Sequence, residues 1–195
     1  RVGSPHRGYA VAGRTPAGST ASAVDALRRS AFRHKAELLV AVQRRRLVVV
    51  VGGLADPAAL IRHLVDHFGD GPVVVGPTVP HLFAAGRSAR AALSGLAAAA
   101  AWPQAPRPVA ADELLPERVL IGDERARRVL VQRIVGALEG SPVLLDTATA
   151  YLDSTGLEAT ARMLFVHPNT VRYRIGRIAE RTGYDLAHPR DGYAV

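Results

Sequence analysis

The sequence predicts an α+β fold, a ferredoxin-like βαββαβ sheet domain followed by an all-α domain. Three observations carry this expectation. Short β-branched runs alternate with amphipathic helical stretches through the first hundred residues, a proline-rich stretch interrupts the chain at 102–108, and strand signals fade after it. The 195 residues are 48% apolar, which is enough to bury a core.

The elements follow in order. Tyr9 to Ala12 is a short strand candidate, and Ser19 to Ser22 offer N-caps for a helix carrying Val24, Leu27 and Ala31 at helical spacing. Leu38 to Val42 and Leu47 to Val51, parted by Gln43-Arg44-Arg45-Arg46, read as a β-hairpin. Asp56-Pro57 starts a helix whose apolar face holds Leu60, Ile61, Leu64, Val65 and Phe68. Gly69 to Pro72 ends it, and Val73 to Val75 is a buried strand. Pro80 to Ala101 reads as an alanine-rich helix with Gly86 and Gly95 as break points. The order suits a split sheet with its helices on one face.

Prolines at 103, 106 and 108 cannot sit in a helix interior or a central strand. The expected domains are therefore 1–102, a linker and connector at 103–122, and a helical domain at 123–195. In the last, Asp123 caps a helix with Ala126, Leu130 and Ile134 inward, and Gly140-Ser141-Pro142 breaks it. Helices are expected over Val143 to Leu152, Leu157 to Leu164 and Pro168 to Thr182.

Composition narrows the function. The net charge is +8 and Lys35 is the single lysine, so the basic character is arginine. That balance suits a polyanionic partner. With no cysteine, disulfides, thiolate metal sites and cysteine nucleophiles are excluded. No apolar run approaches the roughly 20 residues that span a bilayer, so a cytoplasmic location without a membrane partner is expected. No cofactor is expected, and the absence of an initiating methionine reads as a piece of a longer chain.

Residues 157–182 read as a helix-turn-helix. Leu157, Ala161 and Leu164 recur at i, i+4, i+7, and Ala161 is small where two helices must approach. Phe165-Val166-His167 is a tight connection, Pro168 takes the first helical position, and His167 becomes the N-cap. Val171, Ile175 and Ile178 form the second inward stripe. At about 100° per residue, Asn169, Tyr173, Gly176 and Arg177 fall opposite it, with Thr170, Arg172 and Arg174 on the flanks. These groups suit major-groove edges, arginine to guanine and asparagine to adenine. The candidate DNA-contacting residues are His167, Asn169, Thr170, Arg172, Tyr173, Arg174 and Arg177.

The run Ala159-Thr160-Ala161-Arg162-Met163-Leu164-Phe165-Val166-His167-Pro168-Asn169-Thr170-Val171-Arg172-Tyr173-Arg174-Ile175, followed by Glu180-Arg181-Thr182-Gly183 and Asp185-Leu186, closely resembles the C-terminal domain of PucR/CdaR-type bacterial regulators of the actinobacterial type. The resemblance implies a Fis-type helix-turn-helix with Asn169, Thr170, Arg172 and Tyr173 on its DNA-reading face. Val73 to Pro77, Arg87 to Leu93 and Asp112 to Arg118 are similar to segments that join a GGDEF-like domain to this module. The implied function is a sequence-specific transcriptional regulator on double-stranded operator DNA, acting as a homodimer, with an unidentified small-molecule effector. The competing reading is a protein-interaction or dimerisation module with only nonspecific DNA affinity.

Enzymatic readings carry less weight. A GGDEF-like fold raises diguanylate cyclase activity, but the hairpin carries Gln43-Arg44-Arg45-Arg46 in place of nucleotide-admitting glycines and Mg²⁺-holding acids. His63 and His67 have a metal-ligand spacing without a third ligand, and Gly52-Gly53 lacks a P-loop pattern. The expectation is a non-enzyme.

Overall fold

The computed structural model describes residues 7–53 and 57–195, with the side chains of residues 57–59 and 82 outside the description. The expected N-cap Asp56 therefore lies outside the described residues. The chain divides into two compact units, Arg1–Ala126 and Arg127–Val195.

The first unit is built on a five-stranded sheet. Strand β1 (Gly8–Arg14) is followed by helix α1 (Thr20–Arg33), hairpin β2 (Glu37–Gln43) and β3 (Arg46–Gly52), helix α2 (Pro57–Val65) and strand β4 (Val73–Val75). Helix α3 (Ala85–Ala98), strand β5 (Val109–Ala110) and helix α4 (Leu115–Leu120) complete it. The spatial order is β2-β3-β1-β4-β5; β1 lies antiparallel between β3 and β4, while β5 is parallel to β4. The first four strands and two helices are the expected βαββαβ unit.

The helices lie on both faces of this sheet, not on one. Tyr9, Val11, Leu47, Val49, Val51 and Val73 bury one face with Leu27 of α1 and Leu60 and Leu64 of α2. On the other face Ala12 and Val48 meet Ala92 of α3. The physical reason is strand parity: successive side chains point to opposite faces, and these strands are apolar at both parities. The second face is small, and an alanine-rich helix lies close against it. Ser88 of α3 is fully buried, and its Oγ accepts the Ala10 N–H at 2.8 Å. A Cβ at Gly76 would stand 2.2 Å from the Ser88 carbonyl oxygen, so only glycine fits there.

The expected helix over Pro80 to Ala101 is shorter, with single 3₁₀ turns at Leu82–Ala84 and Ala99–Ala101 and no break at Gly86 or Gly95. The 103–122 stretch is not a bare linker. Val109 pairs with Val74, the Ala111 N–H donates to the Val75 carbonyl at 2.8 Å, and Val109, Ala111 and Leu114 bury with Val74 and Ala91. A two-residue edge strand beginning just after Pro108 tolerates the prolines before it.

Asp123 caps helix α5 (Glu124–Val131) as expected, its Oδ1 accepting the Arg125 and Ala126 N–H groups at 3.0 and 3.1 Å. Its Oδ2 accepts from Ser94 Oγ at 2.6 Å and from Arg118 Nε and Nη2 at 3.1 and 2.9 Å. Arg118 is buried and also donates to the Ala111 carbonyl at 2.9 Å. Burial raises the Asp123 pKa, but the hydrogen bonds from Ser94, the Ala126 N–H and Arg118 outweigh it and hold the group at about 2 against a usual 3.8.

The second unit is helical. A π-helical turn at Gln132–Gly136 precedes α6 (Pro142–Leu152), α7 (Leu157–Met163), α8 (Pro168–Thr182) and α9 (Pro189–Ala194). Its core gathers Leu138, Ala148, Ala161, Val171, Ile175, Ile178 and Leu186, with Leu157, Val166 and Val195 packed against it.

Candidate nucleic-acid interface

The helix-turn-helix is assembled by local chemistry. The Thr160 hydroxyl donates to the Gly156 carbonyl at 2.8 Å and shares a 2.6 Å bond with Ser154 Oγ, which secures the start of α7. Ala161 is buried, as two closely packed helices require. The turn is closed by the Val166 N–H on the Ala161 carbonyl at 3.0 Å, and Phe165 takes a positive φ of 55° within it. Its ring is 96% exposed. A non-glycine residue in the left-handed region costs about 1–2 kcal/mol, so the turn holds Phe165 against its own preference.

His167 caps α8 with an extended backbone, its Nδ1 accepting the Asn169 N–H at 3.2 Å, and Pro168 occupies the first turn. Val171, Ile175 and Ile178 are buried as expected. Gly183, at φ 78°, ends the helix and donates to the Ala179 carbonyl at 2.8 Å. Thr182 Oγ1 donates back to the Ile178 carbonyl and accepts the Tyr184 N–H. Burial pushes the Tyr184 phenol pKa up, against the opposing influence of Arg133.

The outer face of α8 brings together Asn169, Arg172, Tyr173 and Arg177, which line one shallow concavity with Gly176 and Glu180. Arg172 Nη1 donates to Asn169 Oδ1 at 2.7 Å, and Arg177 pairs with Glu180. Tyr173 is 68% exposed. The remaining expected residues lie elsewhere. His167 lines a separate groove at the turn with Phe165 and Arg162, and Thr170 is half-buried. Arg174 is half-buried too, and its Nη1 donates to Thr147 Oγ1 of α6 at 3.3 Å. Its flank position on the helical wheel was legible, but the hydroxyl it reaches comes from another helix.

Two residues outside the expected contact set bear on the site. Gly176 sits at its centre, exposed, and a Cβ there would meet nothing within 4 Å. A mid-helix glycine costs about 1 kcal/mol relative to alanine, and no crowding inside the chain explains it. Arg162 on α7 is exposed beside the turn. The helical wheel places Gly176 on the outward face and a charge count marks Arg162, but neither was among the expected DNA contacts.

A helix-turn-helix that follows a ferredoxin-like sheet domain along the chain defines a two-domain helix-turn-helix protein. Comparison with known proteins agrees. Residues 144–195 match the PucR C-terminal helix-turn-helix domain, and residues 3–98 match the GGDEF-like domain. A solved structure, a regulator of polyketide synthase expression from Bifidobacterium adolescentis, superimposes with a TM-score of 0.89 at 33% identity, covering 97% of this chain and 77% of that one. Uncharacterized proteins from Mycobacterium bovis and Mycobacterium tuberculosis are 47% identical over 181 residues, 91% of this chain. The chain spans 44% of the length of these mycobacterial relatives. The chain belongs to the PucR-type regulators, with a GGDEF-like domain followed by the PucR helix-turn-helix domain.

Proposed function

We propose that this chain serves a transcriptional regulator that binds double-stranded DNA sequence-specifically, as a homodimer, with α8 of each protomer in the major groove of one half-site. One observation carries the reading: Asn169, Arg172, Tyr173 and Arg177 share a single exposed face of α8, opposite buried Val171, Ile175 and Ile178. The Arg172–Asn169 bond orients both side chains before any duplex arrives, and the Asn169 amide keeps its NH₂ donors for a base edge. His167 and Thr170 lie at the end of the helix that enters the groove, and exposed Arg162 and Arg181 suit phosphates. Arg174 braces α8 on α6 through Thr147 in this reading, and its own DNA contact is secondary.

The GGDEF-like domain serves as a dimerisation or signal-relay scaffold. Supporting this, the hairpin turn is Arg44-Arg45 between Gln43 and Arg46, with no carboxylate at its tip.

The test is a gel shift with duplex from upstream of the protein's own operon against scrambled competitor. Specific binding resists scrambled DNA, and its log-affinity falls steeply with log salt. Equal competition by the two duplexes would leave the interaction-module reading standing in its place. Analytical ultracentrifugation of the complex reads the stoichiometry, with two protomers per site expected.

A further inference from the structure

A second cationic feature lies in the first unit, at the hairpin end of the sheet. A concavity of about 650 Å³ is lined there by Arg14, Arg45, Arg46 and Arg107, together with Trp102 and Pro103 at the end of α3's segment. That volume falls in the range of small-molecule sites. Among the described residues, no aspartate or glutamate lines it.

The arrangement sets like charges side by side. Arg14 and Arg46 stand directly opposite each other in the β1–β3 ladder, and like charges in that position repel. Arg45 follows in the two-residue turn, and its carbonyl accepts the Thr15 N–H at 3.0 Å, which ties the hairpin tip to the end of β1. Arg14, Arg45 and Arg46 have no acidic partner among the described residues. Arg107 is different. Its Nη2 donates to the Val65, Phe68 and Gly69 carbonyls at 3.4, 3.4 and 3.2 Å, so it holds the wall in place. Trp102 packs against the Val74–Leu114 cluster and supplies an aromatic surface beside the arginines.

We propose that this concavity binds a small organic polyanion, with phosphate or carboxylate groups held by Arg14, Arg45 and Arg46 and a flat ring against Trp102. Guanidinium forks match both kinds of oxyanion. An anion placed between Arg14 and Arg46 turns their mutual repulsion into attraction. The site is separate from the face of α8 and stands whether or not that face reads DNA.

The chain has one tryptophan, so its emission reports on this concavity alone. The 195-residue chain is titrated with ATP, benzene-1,3,5-tricarboxylate, inorganic tripolyphosphate and adenosine, by Trp102 fluorescence and by calorimetry. The expected result is saturable binding of ATP or the tricarboxylate with Kd at or below about 1 mM. Which of the two binds distinguishes phosphate from carboxylate. Tripolyphosphate should bind more weakly and adenosine not at all. Arg45→Ala/Arg46→Ala should weaken binding about tenfold or more, while Arg44→Ala, at the same turn but outside the concavity, leaves it unchanged. Circular dichroism confirms that each variant is folded, and Arg14→Gln provides an independent lesion on a different strand.

Five results overturn the proposal. The first is no saturable signal by either method. The second is undiminished binding by the double variant, and the third is an equal loss in Arg44→Ala. The fourth is tripolyphosphate binding as tightly as ATP, which removes the ring from the site. A short duplex that saturates Trp102 and loses this in the double variant would also overturn it, by giving these arginines to DNA.

Discussion

The Arg118 cluster of the sheet domain and the outer face of α8 use the same side chain in opposite ways. Arg118 is buried, and its guanidinium donates to Asp123 and to the Ala111 carbonyl. On α8, Arg172 and Arg177 are exposed and pair with Asn169 and Glu180 of their own helix. The first arrangement spends the charge inside the domain, where leaving any member unpaired is expensive. The second keeps it near the surface, where short intrahelical bonds orient the groups without satisfying them. Burial, more than residue type, separates an arginine that holds the fold from one that can bind.

That comparison is broken most directly at Arg118. Arg118→Ala takes the counter-charge and two of the donors from Asp123, leaves the Ala111 carbonyl without its side-chain donor, and should cost about 3–5 kcal/mol in denaturant unfolding, with DNA affinity unchanged wherever the variant is folded. Arg172→Ala should do the reverse. Specific DNA affinity should fall by about 1–3 kcal/mol, measured by fluorescence anisotropy, while the unfolding midpoint moves by no more than about 0.5 kcal/mol. A loss of equal size on scrambled duplex would remove Arg172 from base readout.

Acid sharpens the contrast. The Asp123 pKa lies below its usual value, so the stability it contributes is complete above pH 3.8 and is lost as pH falls through its folded value of about 2. The contribution is about 2 kcal/mol at neutral pH. Asp123→Asn should lose most of this at pH 7 and little near pH 2, and a variant deficit independent of pH would contradict the assignment. The smallest effect is at Gly176. Gly176→Ala should raise stability by about 1 kcal/mol or less, because nothing obstructs the added methyl. It should also weaken DNA binding, because the methyl fills the centre of the face. Tighter binding by this variant would show that the duplex does not need that space.

Legibility in the sequence followed the range of the interactions. The α8 helix and its two faces are encoded within fifteen residues by proline, a buried stripe and a terminal glycine, so its boundaries are read as Pro168 to Thr182 directly. The hairpin was equally local. The second layer of the sheet domain was not legible, because Ala10, Ala12 and Ala92 carry no periodic signal that says which face an alanine-rich helix will cover. The prolines at 103–108 concealed β5 for a related reason. Its two residues gain their hydrogen bonds only from β4, more than thirty residues earlier.

The sequence by itself determined the order of elements, the helix-turn-helix and its outward residues, because periods of two and 3.6 residues and capping chemistry act between near neighbours. Only the tertiary structure decided that α3 closes the far side of the sheet and that Arg118 is consumed by Asp123. It also decided that Arg174 is turned to Thr147 and that Arg14 faces Arg46 beside Trp102. Each of these depends on which distant segment occupies the adjoining space, and a linear pattern does not specify that.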